Sequence, residues 1–137
     1  MKSYRKYRAN RRSRSGLATV ELAVCLPAIV ILVLGAIEAC SMIYLNQTLS
    51  VSGFEGLRMA TKRSATSADA IARANEILNA RQVTNAVVSL DPAQVATLPS
   101  GTEITMSVSA PCNANAILPA WFFGGQTITA TSTMVKE

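Results

Sequence analysis

The chain contains no histidine, which removes the usual base of nucleophilic triads and a common ligand of mixed zinc sites. It also lacks a glycine-rich phosphate loop and any clustered acid, base or metal set. An enzymatic reading therefore has no constellation to rest on, and no catalytic residue, metal or cofactor is assigned. Cysteines number three, Cys25, Cys40 and Cys112, too few and too scattered for a disulfide framework. Cys25 reads as a small apolar packing residue, and Cys112 as a partly buried free thiol or an intermolecular partner. Aromatic residues make up 5% of the chain and charged residues 15%, and no acid precedes Glu21.

Basic residues are present but unevenly placed. Seven of the 13 Lys and Arg residues fall in MKSYRKYRANRRSRSG, residues 1–16. The remainder holds six basic and eight acidic residues, 6 − 8 = −2, against +5 for the whole chain. A nucleic-acid face would spread its charge through a folded module with readout residues. A basic run directly before an apolar one is instead a membrane topology signal, holding the N-terminus in the cytoplasm and sending the rest outward.

The apolar run organises everything else. Leu22 to Ile37 is free of charge, sixteen residues that cover about 24 Å as a helix, short of a hydrocarbon core of about 30 Å. Extending back to Leu17 gives twenty-one residues and about 31 Å, a full span, and places Glu21 inside it. An acidic side chain at mid-span costs about 2.5 to 3.5 kcal/mol, less near the ends, so Glu21 calls for a partner or a task. Pro27 is tolerable in such a helix and is expected to add a kink. Glu38 falls near the outer interface, where water reaches it.

Past the span the helical period continues without proline to about Lys62, with Met42, Leu45, Leu49, Gly53, Gly56 and Ala60 on one face. From Leu17 this is one helix of about 46 residues, its lower half transmembrane and its upper half amphipathic. The two glycines mark either close packing or a fraying end. Thr66 and Ser67 offer N-caps, and Asp69 a first-turn acid, for a second helix to about Arg81. Its apolar face is Ala70, Ile71, Ala74, Ile77 and Leu78, with Asp69 and Arg73 as a surface pair.

Alternating segments at 86–90, 103–110 and 127–135 predict three antiparallel strands. The expected fold is α+β and pilin-like: a long N-terminal helix, a short second helix and a small three-stranded sheet. The expected domains are a cytoplasmic leader over 1–16, too charged to pack over residues 1–15, a transmembrane helix over 17–45 and an extracytoplasmic domain over 46–137. The connection PCNANAILPAWFFGG, residues 111–125, holds Ile117, Leu118, Trp121, Phe122 and Phe123. With few aromatics elsewhere to fill a small core, folding back over the open sheet face is favoured; the alternative is an exposed patch awaiting a partner.

Gly16 closes the basic segment and Glu21 follows as the fifth residue after it, an arrangement that resembles a type IV prepilin signal. The resemblance implies cleavage between Gly16 and Leu17 by a membrane prepilin peptidase. It also gives Glu21 a task. Cleavage creates an α-amine at Leu17, mostly protonated at neutral pH, and Glu21 of a neighbouring subunit would neutralise it. Together with VELAVCLPAIVILVLGAIEA, the continuing helix and the C-terminal LPAWFFGGQTITATSTMVKE, the motif resembles the TadE-like family of pseudopilins. That family implies residence in a bacterial inner membrane, other pilins and the Tad assembly platform as partners, and a structural role in tight-adherence (Flp-type) pili. Leu22 stands where major Flp prepilins commonly carry tyrosine, and those pilins are much shorter, so a minor pseudopilin is the expected role. An uncleaved, membrane-anchored envelope binding module that uses the Trp121 patch is the alternative.

Overall fold

The computed structural model describes residues 12–137, with side chains described from Gly16 onward. The elements are helix α1 (Arg12–Ala60), helix α2 (Ser67–Ala80), strand β1 (Val87–Asp91), strand β2 (Glu103–Pro111), the short helix α3 (Cys112–Asn115) and strand β3 (Thr127–Val135). This is the expected α+β class. The chain divides into one unit ending at Gly35 and a second over Ala36–Glu137.

Helix α1 starts at Arg12, five residues ahead of Leu17. The expectation of an unpacked leader lies, for residues 1–11, outside the described residues. Residues 12–15 are helical and form the opening turn of α1. Arginine is a good helix former, and nothing in RSRSG obliges the chain to stop. The helix continues through Pro27. In the first unit most of its described apolar side chains are exposed, among them Leu22, Val24, Leu26, Ile29 and Leu32.

The second unit is built on the upper part of α1. Met42, Leu45, Leu49, Gly53, Gly56 and Ala60 are all buried, so the expected face is the one that packs. A Cβ on Gly56 would lie 2.7 Å from Met106 Sδ, 2.9 Å from the Ala70 carbonyl oxygen and 3.0 Å from Ala74 Cβ. Glycine here is therefore a contact requirement rather than a fraying end. It lets α1 approach α2 and β2 more closely than any side chain would allow.

Thr66 caps α2 in a reciprocal box: its hydroxyl accepts from the Asp69 amide, and the Asp69 carboxylate accepts from the Thr66 amide at 3.0 Å and hydroxyl at 2.7 Å. These bonds hold the Asp69 carboxyl below its ordinary value, hydroxyl first and amide second. They also correct the expected Asp69–Arg73 pair. With Asp69 engaged at the cap, Arg73 pairs with Glu76 at 2.8 Å and reaches Glu55 on α1 at 3.8 Å. The Glu76 hydrogen bond and charge, with Glu55 adding, raise the Arg73 guanidinium further. Ala70, Ala74 and Leu78 are the buried positions of the expected apolar face.

The three strands form an antiparallel sheet in the order β1-β2-β3, with Val88 opposite Val108 and Val108 opposite Ala130. Period-2 alternation sends Ile104, Met106, Val108 and Ala110 into the core with Leu49, Leu57 and Leu78. The other face is a ladder of hydroxyls, Thr105 to Thr133 at 3.1 Å and Ser107 to Thr131 at 3.3 Å. Lys136 is buried and its Nζ donates to the Val95 carbonyl, which fastens the segment between β1 and β2 to the end of β3.

Candidate functional site

Gly16, Leu17 and Glu21 share the first turns of α1. Among the described residues, a Cβ on Gly16 would meet nothing within 4 Å. Leu17 is exposed, and Glu21 is exposed with no ion pair to any described residue. Residues four apart lie on one helical face, about 6 Å along the axis at ~1.5 Å per residue. An amine created at Leu17 would thus lie one turn from the Glu21 carboxylate of its own chain. Among the described residues α1 is the one helix long and apolar enough to cross a membrane.

The second constellation lies in the Ala36–Glu137 unit and centres on Glu38. This carboxylate is only 5% exposed, which corrects the expectation that water reaches it. Its Oε1 accepts from the Phe123 amide at 2.8 Å and from the Phe122 amide at 3.0 Å, and Oε2 lies 3.3 Å from the Phe122 amide. Charge-assisted bonds to two backbone amides offset much of what burying a carboxylate costs.

The same bonds fix the loop between α3 and β3. At its start, Asn115 on α3 is held from both sides: its Oδ1 accepts from the Thr84 amide at 2.8 Å, and its Nδ2 donates to the carbonyls of Thr84 and Pro111. At its far end, Glu38 holds the two phenylalanine amides. Between these tethers three of the five large apolar side chains stand exposed rather than folded over the sheet. Ile117 is 78%, Trp121 73% and Phe122 58% exposed, while Leu118 and Phe123 are half-buried. Phe123 turns toward α1, where it lines a mainly apolar groove of about 340 Å³ with Ala39, Met42, Ile43, Asn46 and Ile128. The expected folding-back is thereby corrected. The core is already filled by Ile104, Met106, Val108 and the α1 leucines, and Glu38 draws the loop backbone to the helix instead.

Cys112 opens α3 and is buried and free. Burial, with the Glu38 charge adding, pushes its thiol above the ordinary value. A buried neutral thiol is neither a nucleophile nor an accessible partner for another chain. Among the described residues no group of three His, Cys, Asp or Glu is placed to hold a metal ion.

Glu38, Asn115 and Lys136 were not assigned these roles by periodicity, because each acts through a hydrogen bond to backbone far away in sequence. The one available signal is the position of Glu38 directly after an uncharged run.

The family model described as TadE-like protein matches residues 16–58, from the glycine before Leu17 to the last turn of α1. The expected TadE-like resemblance thus holds over the anchor helix and its continuation. Residues 59–137 lie outside the match. No curated protein and no solved structure matches the chain.

Proposed function

We propose that the chain is a minor pseudopilin of a tight-adherence (Flp-type) pilus or secretion apparatus, processed between Gly16 and Leu17 and acting structurally in assembly. The observation that carries this reading is the TadE-like match over residues 16–58, which begins at the glycine five residues before the acidic residue of the apolar helix. The basic residues before Gly16 favour a cytoplasmic N-terminus and an extracytoplasmic C-terminal unit on the inner membrane.

Prepilin peptidase is the processing partner. The bond it cuts, Gly16–Leu17, lies near the start of α1, and helix ends open at less cost than helix interiors. The new Leu17 amine and Glu21 then form the docking pair between subunits: the amine carries positive charge at neutral pH, and the carboxylate would otherwise stand alone among apolar helices.

Glu21→Gln tests this division of labour. It keeps the shape and removes the charge, leaving the amine unpaired in a low-dielectric setting at a cost of several kcal/mol. Cleavage followed on gels should proceed as in wild type, while recovery in pili or in crosslinked subunit complexes should be lost. Normal assembly of the variant would remove Glu21 as a docking group. An uncleaved envelope binding module is the second reading, favoured by the exposure of Ile117, Trp121 and Phe122; a chain that keeps residues 1–16 would select it.

A further inference from the structure

The loop between α3 and β3 is held by its backbone and exposed through its side chains. Its tether, Glu38, is the residue that directly follows the uncharged run Leu22–Ile37. Residues 104–135 contain no Asp, Glu, Lys or Arg, so the loop carries no charge that a membrane would repel. We infer that this loop is a membrane-interface anchor: Ile117, Trp121 and Phe122 insert among the headgroups and upper acyl chains of the leaflet that the helix leaves at Ile37. The inference rests on reading that run as a membrane span.

Three physical features support a lipid surface over water as the surroundings of these side chains. Tryptophan and other amphipathic rings favour the membrane–water boundary, where the ring is apolar-solvated and the indole N–H still finds an acceptor. Three large apolar side chains exposed within six residues form the kind of patch that soluble surfaces avoid and membrane contacts use. Glu38 itself would be costly facing lipid, and here it is covered by the loop it tethers. The irregular backbone of the loop limits the depth, because its polar groups need water or protein partners and find neither in the hydrocarbon core.

Trp121 is the single tryptophan of the chain, so its fluorescence reports on this loop alone. The full-length protein would be reconstituted in phosphatidylcholine vesicles carrying lipids brominated at shallow or deep acyl positions. Emission should be blue-shifted and quenched more by shallow than by deep bromine. Phe122→Asp leaves its own backbone amide available to Glu38 and should reduce that quenching by roughly two-fold or more while the protein still floats with the vesicles. Emission typical of water, quenched by aqueous iodide and indifferent to bromolipids, would overturn the inference. So would blue-shifted emission that ignores bromolipids and grows with protein density, since that places Trp121 against another protein chain. In either case, flotation that survives alkaline carbonate leaves the membrane span standing. Loss of flotation sinks the span and the loop anchor together.

Discussion

Replacing Gly56 by alanine sets two opposed effects against each other, and the structure decides which wins. In a helix interior the change gains about 1 kcal/mol, because alanine loses less backbone entropy than glycine and is the better helix former. Against that, the new methyl group would sit 2.7 Å from Met106 Sδ, 2.9 Å from the Ala70 carbonyl and 3.0 Å from Ala74 Cβ. Met106 is flexible and yields at little cost. The Ala70 carbonyl belongs to the backbone of α2, so relief there requires α2 to move away from α1. Overpacking of this kind costs about 1 to 3 kcal/mol, and with a backbone atom among three close contacts the upper end applies, leaving a net loss of about 2 kcal/mol. Gly53 is the internal control: its added methyl group meets Val108 Cγ2 at 3.4 Å and Ser132 Oγ at 3.7 Å, ordinary contacts that leave the gain of up to about 1 kcal/mol intact. Thermal unfolding of the full chain in detergent, followed by circular dichroism, should show Gly56→Ala lowered by roughly 8 to 16 °C and Gly53→Ala unchanged or raised, at about 4 to 8 °C per kcal/mol for a domain of this size. Equal shifts for the two variants, or a Gly56→Ala protein as stable as wild type, would refute the packing argument.

Thiol labelling and pH give two further tests. In a Cys25→Ser, Cys40→Ser background, Cys112 should resist maleimide at neutral pH until the protein is unfolded, because burial and the Glu38 charge keep the thiol neutral; rapid labelling of the folded protein would contradict its placement. The Asp69 carboxyl is lowered in the folded state, so its cap strengthens α2 fully above the unfolded carboxyl value of ~3.9, and that contribution is lost as pH falls through the lower folded value. Amide exchange at the start of α2 should accelerate over that acidic range in wild type but lack this step in Asp69→Asn, and an identical acid profile in the two proteins would remove the cap as its cause.

Much of the fold was legible because it is periodic. The alternation of Ile104, Met106, Val108 and Ala110 marked β2 and its buried face, and Thr66 with Asp69 marked the start of α2 to within a residue. The α1 packing face was read correctly down to its two glycines, but only coordinates separate a close contact at Gly56 from an ordinary one at Gly53. What periodicity did not convey were side chains paired with distant backbone. Glu38 binds amides 84 and 85 positions away, and Lys136 donates to a carbonyl 41 positions away. Neither pairing leaves a local pattern. The direction taken by the aromatic loop followed from the first of these, since an apolar composition alone is equally compatible with a buried cover and an exposed patch. Gly16, Leu17 and Glu21 are the reverse case: the sequence proposes them through a spacing, and the structure adds only that they lie on one turn and a half of helix α1, because the proposed tasks depend on chemistry with other molecules.

The central claim is that the mature protein is a processed pseudopilin, and the mature N-terminus tests it most directly. Intact-mass and N-terminal analysis of membrane protein from a host carrying prepilin peptidase should find a chain beginning at Leu17. The same protein with Gly16 replaced by a bulky residue should remain in the membrane and begin at Met1. A wild-type chain that retains residues 1–16 in the presence of active peptidase would contradict the account.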